Sequence, residues 1–258
     1  MPFVDVGDLR THYELTGSEL PVLVFSNSLG TSYSMWDPQM PHLAQRFRTL
    51  RYDTRGHGQS SVTPGDYTIE QLGRDVLGLL DALGLGRVHF CGLSMGGMIG
   101  MWLGVNAPDR LHRLILCDTA ARIGTKEMWN ARIATVRKNG MKPVAAAVSE
   151  RWFTPEFRAS SPQKVAWAQT MLENSPPDGY AACCAAIRDM DQRATLVQIK
   201  VPTLVIYGAQ DPATPPAAAR FLVERIRGSQ SVELQAAHLS NVEQADAFTE
   251  AVGHFLSK

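Results

Sequence analysis

The stretch Gly92-Leu93-Ser94-Met95-Gly96-Gly97 constrains this chain more than any other. The apolar run Arg87-Val88-His89-Phe90-Cys91 leads into it, and a helix-like run from Met98 to Val105 follows. The context is strand, sharp turn, helix. A serine at the apex of such a turn takes a strained backbone conformation with φ above zero. The residues two before and two after it then crowd each other, so both must be tiny. Here both are glycine, Gly92 and Gly96. The strain holds the hydroxyl clear of the sheet, at a helix N-terminus whose N–H groups favour developing negative charge. A glycine-rich turn with an incidental serine would look the same locally, so the rest of the chain must decide.

The wider pattern is an alternation of short apolar runs and longer helical stretches. Strands are expected at 3–6, 9–15, 22–26, 48–52, 88–91, 114–117, 203–207 and 231–234. Helices are expected at 36–45, 69–83, 95–106, 216–227 and 242–256. The first two strands read as an antiparallel pair. From Val22 onward, alternation implies right-handed βαβ crossovers and a mostly parallel, doubly wound sheet. Gly96, Gly100 and Gly104 share one face of the helix after the serine, which suits close packing on that sheet. Strand rhythm fails between about Ala121 and Asp191, where the chain is helical in composition and punctuated by Thr154-Pro155 and Ser175-Pro176-Pro177. Residues 121–190 therefore read as an inserted helical cap, and 1–120 with 191–258 as the α/β core. A chain of 258 residues suits one such domain.

Composition removes several function classes. The chain is 45% hydrophobic and 19% charged, so a real core is expected. Formal net charge is +0 and no basic stripe with interleaved aromatics occurs, which argues against nucleic-acid binding. The opening residues lack a basic and an apolar signal region, and no run approaches a membrane span. Cys91, Cys117, Cys183 and Cys184 read as reduced core thiols, in keeping with a cytoplasmic setting. The adjacent pair Cys183-Cys184 makes a poor disulfide or zinc site.

A serine hydroxyl needs a base within hydrogen-bond reach, and that base needs an orienting carboxylate. In a sheet of this kind the site is built by loops at the carboxyl ends of the strands. His12, His42, His89, His112 and His254 fall on strands or helices or just before a strand. Two histidines sit in suitable loops: His57, in Asp53-Thr54-Arg55-Gly56-His57-Gly58-Gln59-Ser60, and His238, in Ala236-Ala237-His238-Leu239-Ser240-Asn241. The Ser94 turn resembles the nucleophile elbow of α/β-hydrolases, and the chain order serine, acid, histidine that this resemblance implies selects His238 and leaves His57 as a turn residue supporting the site. Asp211, in Gly208-Ala209-Gln210-Asp211-Pro212, is the leading acid, with Asp118 the rival. Acyl transfer also needs two N–H donors for the oxyanion. Position assigns these to Met95, beside the serine, and to Leu29 in the loop after the strand at 22–26. Leu29 could equally serve only as a wall.

Together these residues resemble the α/β-hydrolase superfamily over essentially the whole chain. The serine turn is its nucleophile elbow. Asp53-x-Arg55-Gly56-x-Gly58-x-Ser60, Gly208-x-x-Asp211 and the His238 loop stand in the expected order. The fold implied is α/β, a mostly parallel eight-stranded sheet flanked by helices, with an inserted helical cap. Within the superfamily, Asn27-Ser28-Leu29-Gly30-Thr31 resembles the corresponding loop of 3-oxoadipate enol-lactonases. Arg151-Trp152-Phe153-Thr154-Pro155 and the run from Tyr180 to Asp189 are similar to that family too. The resemblance implies a cofactor-independent hydrolase of the β-ketoadipate pathway of aromatic breakdown, acting on a small anionic enol-lactone.

Such a substrate carries a carboxylate that survives the reaction, and burying it requires a cation or several donors. The candidates in the insertion are Arg122, Lys126, Arg132, Arg137, Arg151 and Arg188. Arg132 leads, because Trp129 lies three residues before it and an indole N–H could converge there with the guanidinium. A solvated arginine beside a packing tryptophan is the competing picture. Other readings also stay open on these residues: a general esterase or lactonase, a perhydrolase-type relative, and a ligand receptor with an idle triad. Dehalogenases and epoxide hydrolases, which place aspartate at the elbow, do not fit Ser94.

Overall fold

The computed structural model describes residues 2–17 and 21–257. Eight strands form one sheet: β1 (Phe3–Val6), β2 (Leu9–Thr16), β3 (Val22–Ser26), β4 (Arg48–Tyr52), β5 (Val88–Leu93), β6 (Leu111–Cys117), β7 (Thr203–Gly208) and β8 (Gln230–Leu234). Their order across the sheet is β1-β2-β4-β3-β5-β6-β7-β8. The β1–β2 and β2–β4 pairs are antiparallel, and every later pair is parallel. The central strands β5 and β7 are buried at every residue. Parallel strands covered on both faces read as near-continuous apolar runs, and Val88–Leu93 and Thr203–Gly208 are such runs but for His89 and Thr203.

The flanking helices are α1 (Met40–Leu43), α2 (Ile69–Ala82), α3 (Met95–Asn106), α9 (Pro216–Arg225), α10 (Ser240–Glu243) and α11 (Ala245–Leu256). Five more, α4 (Lys126–Asn139), α5 (Lys142–Ser149), α6 (Pro155–Ser160), α7 (Pro162–Glu173) and α8 (Pro177–Asp189), fill the chain between β6 and β7. α2 shows how sequence sets an element. The Thr68 side chain accepts the Gln71 N–H at 3.0 Å and starts the helix. Ile69, Leu72, Val76, Leu79 and Leu80 then form one buried stripe. Each such side chain contributes about 1.5–3 kcal/mol on burial. On α3, a Cβ at Gly100 or Gly104 would come within 3.2 Å of the sheet side chain Leu114, so the glycine face does pack on the sheet.

Two helices differ from expectation. The stretch 36–45 is a 3₁₀ helix, Tyr33–Gln39, that continues into the short α1. Pro38 and Pro41 deny the chain two amide donors and prevent a regular α-helix. The stretch 242–256 breaks into α10 and α11 at Gln244, whose φ is −120°. The break lets the chain turn from the His238 loop onto the sheet. Among the described residues, no helix is long and apolar enough to cross a membrane.

Candidate active site

The loops after β3, β5, β7 and β8 meet at the carboxyl edge of the sheet. Ser94 lies between β5 and α3 with φ 56° and ψ −113°. Its N–H is held by the Cys117 carbonyl at 2.9 Å, and its carbonyl accepts the Thr119 hydroxyl at 2.7 Å. The crowding expected at the turn is present. A Cβ on Gly92 would lie 2.1 Å from the Gly96 carbonyl oxygen, and one on Gly96 would lie 2.1 Å from the Ser26 oxygen. No side chain fits at either position.

His238 Nδ1 is 2.8 Å from Asp211 Oδ2, and both residues are buried. The Asp211 carboxylate also accepts the Ala213 N–H at 2.7 Å, the Thr214 N–H at 3.0 Å and the Thr214 hydroxyl at 2.6 Å. Burial alone would raise its pKa, but the His238 charge and these hydrogen bonds hold it below the usual carboxylate value. For His238, burial works downward. Asp211 outweighs it by charge and hydrogen bond, so the imidazole lies above its ordinary value.

Asp118 does not occupy that position. Its carboxylate accepts the Gly208 N–H at 2.8 Å and the Ser240 hydroxyl at 2.5 Å, on a backbone with φ 43°. Burial, and then the charge of Asp211, push Asp118 up to about 8. It ties the end of β7 to the start of α10, the two elements that flank the Asp211–His238 pair.

The two N–H groups expected to face an oxyanion have no acceptor among the described residues. Those around them are taken: Ser28 N–H by Met35 Sδ at 3.3 Å, Gly30 N–H by His57 Nε2 at 2.9 Å, and Gly96 N–H by the Asn27 carbonyl at 3.0 Å. His57 therefore accepts at Nε2 and carries its proton on Nδ1, facing the Arg55 carbonyl at 3.3 Å. Burial lowers its pKa to about 4, so it stays neutral and braces the loop that carries Leu29. The rest of the Asp53 motif is also bracing. Asp53 accepts Tyr33 N–H, Gln59 N–H and His12 Nδ1, and Arg55 makes a paired contact with Asp75 at 2.8 and 2.6 Å.

Ser94, His238 and Leu29 line a cavity of about 310 Å³. Helices α4, α5 and α8 and the segment before α6 close it, contributing Trp129, Arg132, Arg151, Trp152 and Tyr180. The expected pairing of Trp129 and Arg132 takes a different form. The indole N–H donates to the Ile123 carbonyl at 2.9 Å, so it is not available to a ligand. The ring instead supports the Arg132 guanidinium, whose carbon stands 4.9 Å from the ring centroid. Of the six candidate cations, four face carboxylates: Arg122 with Asp191, Lys126 with Asp189, and Arg137 and Arg188 with Asp66. Arg132 and Arg151 have no ion pair among the described residues, and both line the cavity.

Sequence reasoning missed three contributors. Thr214 fixes Asp211, and its spacing, three residues after an aspartate, is the only trace it leaves. Tyr180 presents a fully buried hydroxyl without a hydrogen-bond partner of good geometry. Glu243 joins the insertion to the His238 loop, accepting the Ala237 N–H at 3.0 Å and the Thr154 hydroxyl. Beside it, the Leu239 N–H donates to the Trp152 carbonyl at 2.9 Å. The cysteines are free and buried, and no group of metal-ligating side chains forms among the described residues.

Comparison with known proteins finds relatives over nearly the whole chain. The chain is 45% identical over 246 residues to 3-oxoadipate enol-lactonase 2 of Acinetobacter baylyi, covering 95% of this chain and 92% of that one. It is 30% identical over 246 residues to RutD of Caulobacter sp. (strain K31), named for carbamate hydrolysis, covering 93% and 92%. The crystal structure of the enol-lactonase from Burkholderia xenovorans LB400 superposes with a TM-score of 0.98 at 47% identity, over 100% of both chains. The family model for the alpha/beta hydrolase fold matches residues 21–245, and the chain belongs to that family.

Proposed function

We propose that this protein is a serine hydrolase that opens 3-oxoadipate enol-lactone to 3-oxoadipate in the cytoplasmic β-ketoadipate pathway. One observation carries the reading. The cavity that holds Ser94 and His238 also holds two guanidiniums that make no ion pair among the described residues. That is ester chemistry arranged for an anionic substrate. The similarity to enol-lactonases supports the choice of anion.

In this mechanism Ser94 Oγ attacks the ring carbonyl while His238 Nε2 takes its proton. The N–H groups of Leu29 and Met95 hold the tetrahedral oxyanion. Collapse breaks the ring C–O bond. The enol oxygen leaves with the proton from His238, and the enol becomes the ketone. Water then loses a proton to His238 and attacks the acyl-enzyme, returning Ser94 and a new carboxylate. Residues 121–190 act as the cap that excludes bulk water and binds the acetate arm. A neutral carbamate would leave both arginines without a counter-charge, which favours the lactone over that alternative.

The test is a spectrophotometric assay with the enol-lactone generated in situ, run beside p-nitrophenyl acetate and a simple carbamate. Faster turnover of the neutral ester or the carbamate would replace the proposed substrate. The same assay tests the cap. A charge-assisted hydrogen bond contributes roughly 1.5–3 kcal/mol, so Arg132→Ala should lower kcat/KM for the lactone about 10- to 150-fold. Neutral p-nitrophenyl acetate should be nearly unaffected. Equal loss on both would mean that the insertion has collapsed.

His57 offers an independent check on the oxyanion loop. His57→Leu leaves the buried Gly30 N–H without its acceptor, a cost of about 1–3 kcal/mol that loosens the adjacent Leu29 N–H. We expect kcat to fall about tenfold with KM little changed, and His57→Gln, which keeps an acceptor, to recover part of it. Identical kcat values for the two variants would remove His57 from this role.

A further inference from the structure

Lactone opening changes the charge of the ligand. A monoanion enters, water is added, one proton is released, and a dianion leaves. The cavity contains two cations for these two carboxylates. Arg132 lies beside the buried Tyr180 hydroxyl, over the Trp129 ring. Arg151 lies nearer the chemistry: the carbonyl of its neighbour Trp152 accepts the Leu239 N–H, next to His238, at 2.9 Å, and the Arg151 charge acts on His238 and Asp211. Each guanidinium is only partly exposed, and the two repel one another when the cavity holds no anion. The Tyr180 hydroxyl is buried and has no hydrogen-bond partner of good geometry among the described residues. These three groups make an incomplete site that a ligand would complete.

We propose that the cavity is a two-cation site for a flexible dicarboxylate. Arg132 and Tyr180 hold the carboxylate that the substrate brings in, and Arg151 receives the one released from Ser94. This rests on the reading of the substrate as an anionic lactone, and it adds a consequence. The product, with two carboxylates on two guanidiniums, binds more tightly than the substrate, so the enzyme is inhibited by its product and by diacids of similar length. Asp211 acts on Arg151 by charge without forming an ion pair, its carboxylate being taken by hydrogen bonds from His238 and Thr214.

The experiment uses adipate as an unreactive diacid and hexanoate as a monoacid of equal chain length. Binding is measured by calorimetry, and inhibition with p-nitrophenyl acetate as reporter. Adipate should compete with the ester and bind at least tenfold more tightly than hexanoate. Arg151→Gln and Arg132→Gln should each weaken adipate about 10- to 150-fold. Arg151→Gln should leave hexanoate binding unchanged, while Arg132→Gln reduces it. Tyr180→Phe, which removes a single buried hydroxyl, should weaken both acids to the same extent. Adipate binding no tighter than hexanoate, or unaffected by Arg151→Gln in a protein with wild-type melting temperature, overturns the proposal. The enol-lactone assay separates the two readings. Lactone turnover without adipate binding removes the diacid site and leaves the lactonase. Adipate binding without lactone turnover does the reverse.

Discussion

Ser94→Ala is expected to abolish hydrolysis and leave the fold intact. Removal of the nucleophile from a serine protease costs about 2 × 10⁶ in kcat, and the remaining donors still leave activity roughly 10³–10⁴ above water. The hydroxyl lies at the cavity wall, so its loss opens no void in the core. Alanine keeps the same strained backbone, so the melting temperature should not move. Ser94→Gly makes the complementary test. A non-glycine residue at φ 56°, ψ −113° stores about 1–3 kcal/mol of strain, and glycine releases it. The added freedom of the unfolded chain returns about 0.4–1 kcal/mol of that. The glycine variant should thus be inactive and more stable than the alanine variant, measured by denaturant unfolding. Residual kcat above a small fraction of wild type in either variant would remove Ser94 from the chemistry. A glycine variant less stable than alanine would mean that the turn is not strained.

The serine turn was legible because sterics leave it so few sequences. Two carbonyl oxygens stand 2.1 Å from where Cβ atoms would be, and only glycine meets that demand at positions 92 and 96. The sheet was legible for a similar reason, since strands buried on both faces are apolar at nearly every position. The ends of elements were less so. β6 begins at Leu111, three residues before the apolar run: Leu111 pairs with Val88 and Arg113 with His89, and the register slips by one between them, at His112. The helix at 36–45 was misread because its apolar spacing suits an α-helix while its prolines do not. The cavity was the least legible part. Among six cations in the insertion, sequence favoured Arg132 on its spacing from Trp129 and did not single out Arg151. What separates Arg132 and Arg151 from the rest is the placement of Asp66, Asp189 and Asp191, a fact of tertiary structure. The fate of the Trp129 indole N–H likewise turns on one carbonyl, that of Ile123.

Asp211→Asn should cut kcat by about 10⁴, as the loss of the orienting carboxylate does in a serine protease, and Asp118→Asn should cost far less. The two aspartates lie close enough to influence each other, yet their surroundings set them apart. Asp211 is ionised, with His238 Nδ1 and three other donors on its oxygens. An amide there would present N–H to Nδ1 and fix the wrong imidazole tautomer. It would also remove the charge that raises His238, leaving burial and Arg151 to lower it. The acid limb of kcat/KM should therefore lie above the ordinary imidazole value of 6.5 in the wild type and move to lower pH in Asp211→Asn. Asp118, pushed up to about 8, is largely protonated near neutrality, and asparagine is close to that form in shape and charge. The sign of its linkage is opposite to that of an ion-paired acid. Its folded pKa exceeds the unfolded value of 3.8, so the folded protein binds the extra proton and loses stability as pH rises toward 8. Asp118→Asn should flatten that decline and match or exceed wild type in chemical denaturation at pH 8. It should do so at little cost in turnover, because the amide oxygen still accepts the Gly208 N–H and the amide N–H can donate to the Ser240 hydroxyl oxygen. A larger loss of kcat in Asp118→Asn than in Asp211→Asn would exchange the roles of the two acids. An unmoved pH limb in Asp211→Asn would mean that the limb does not report His238.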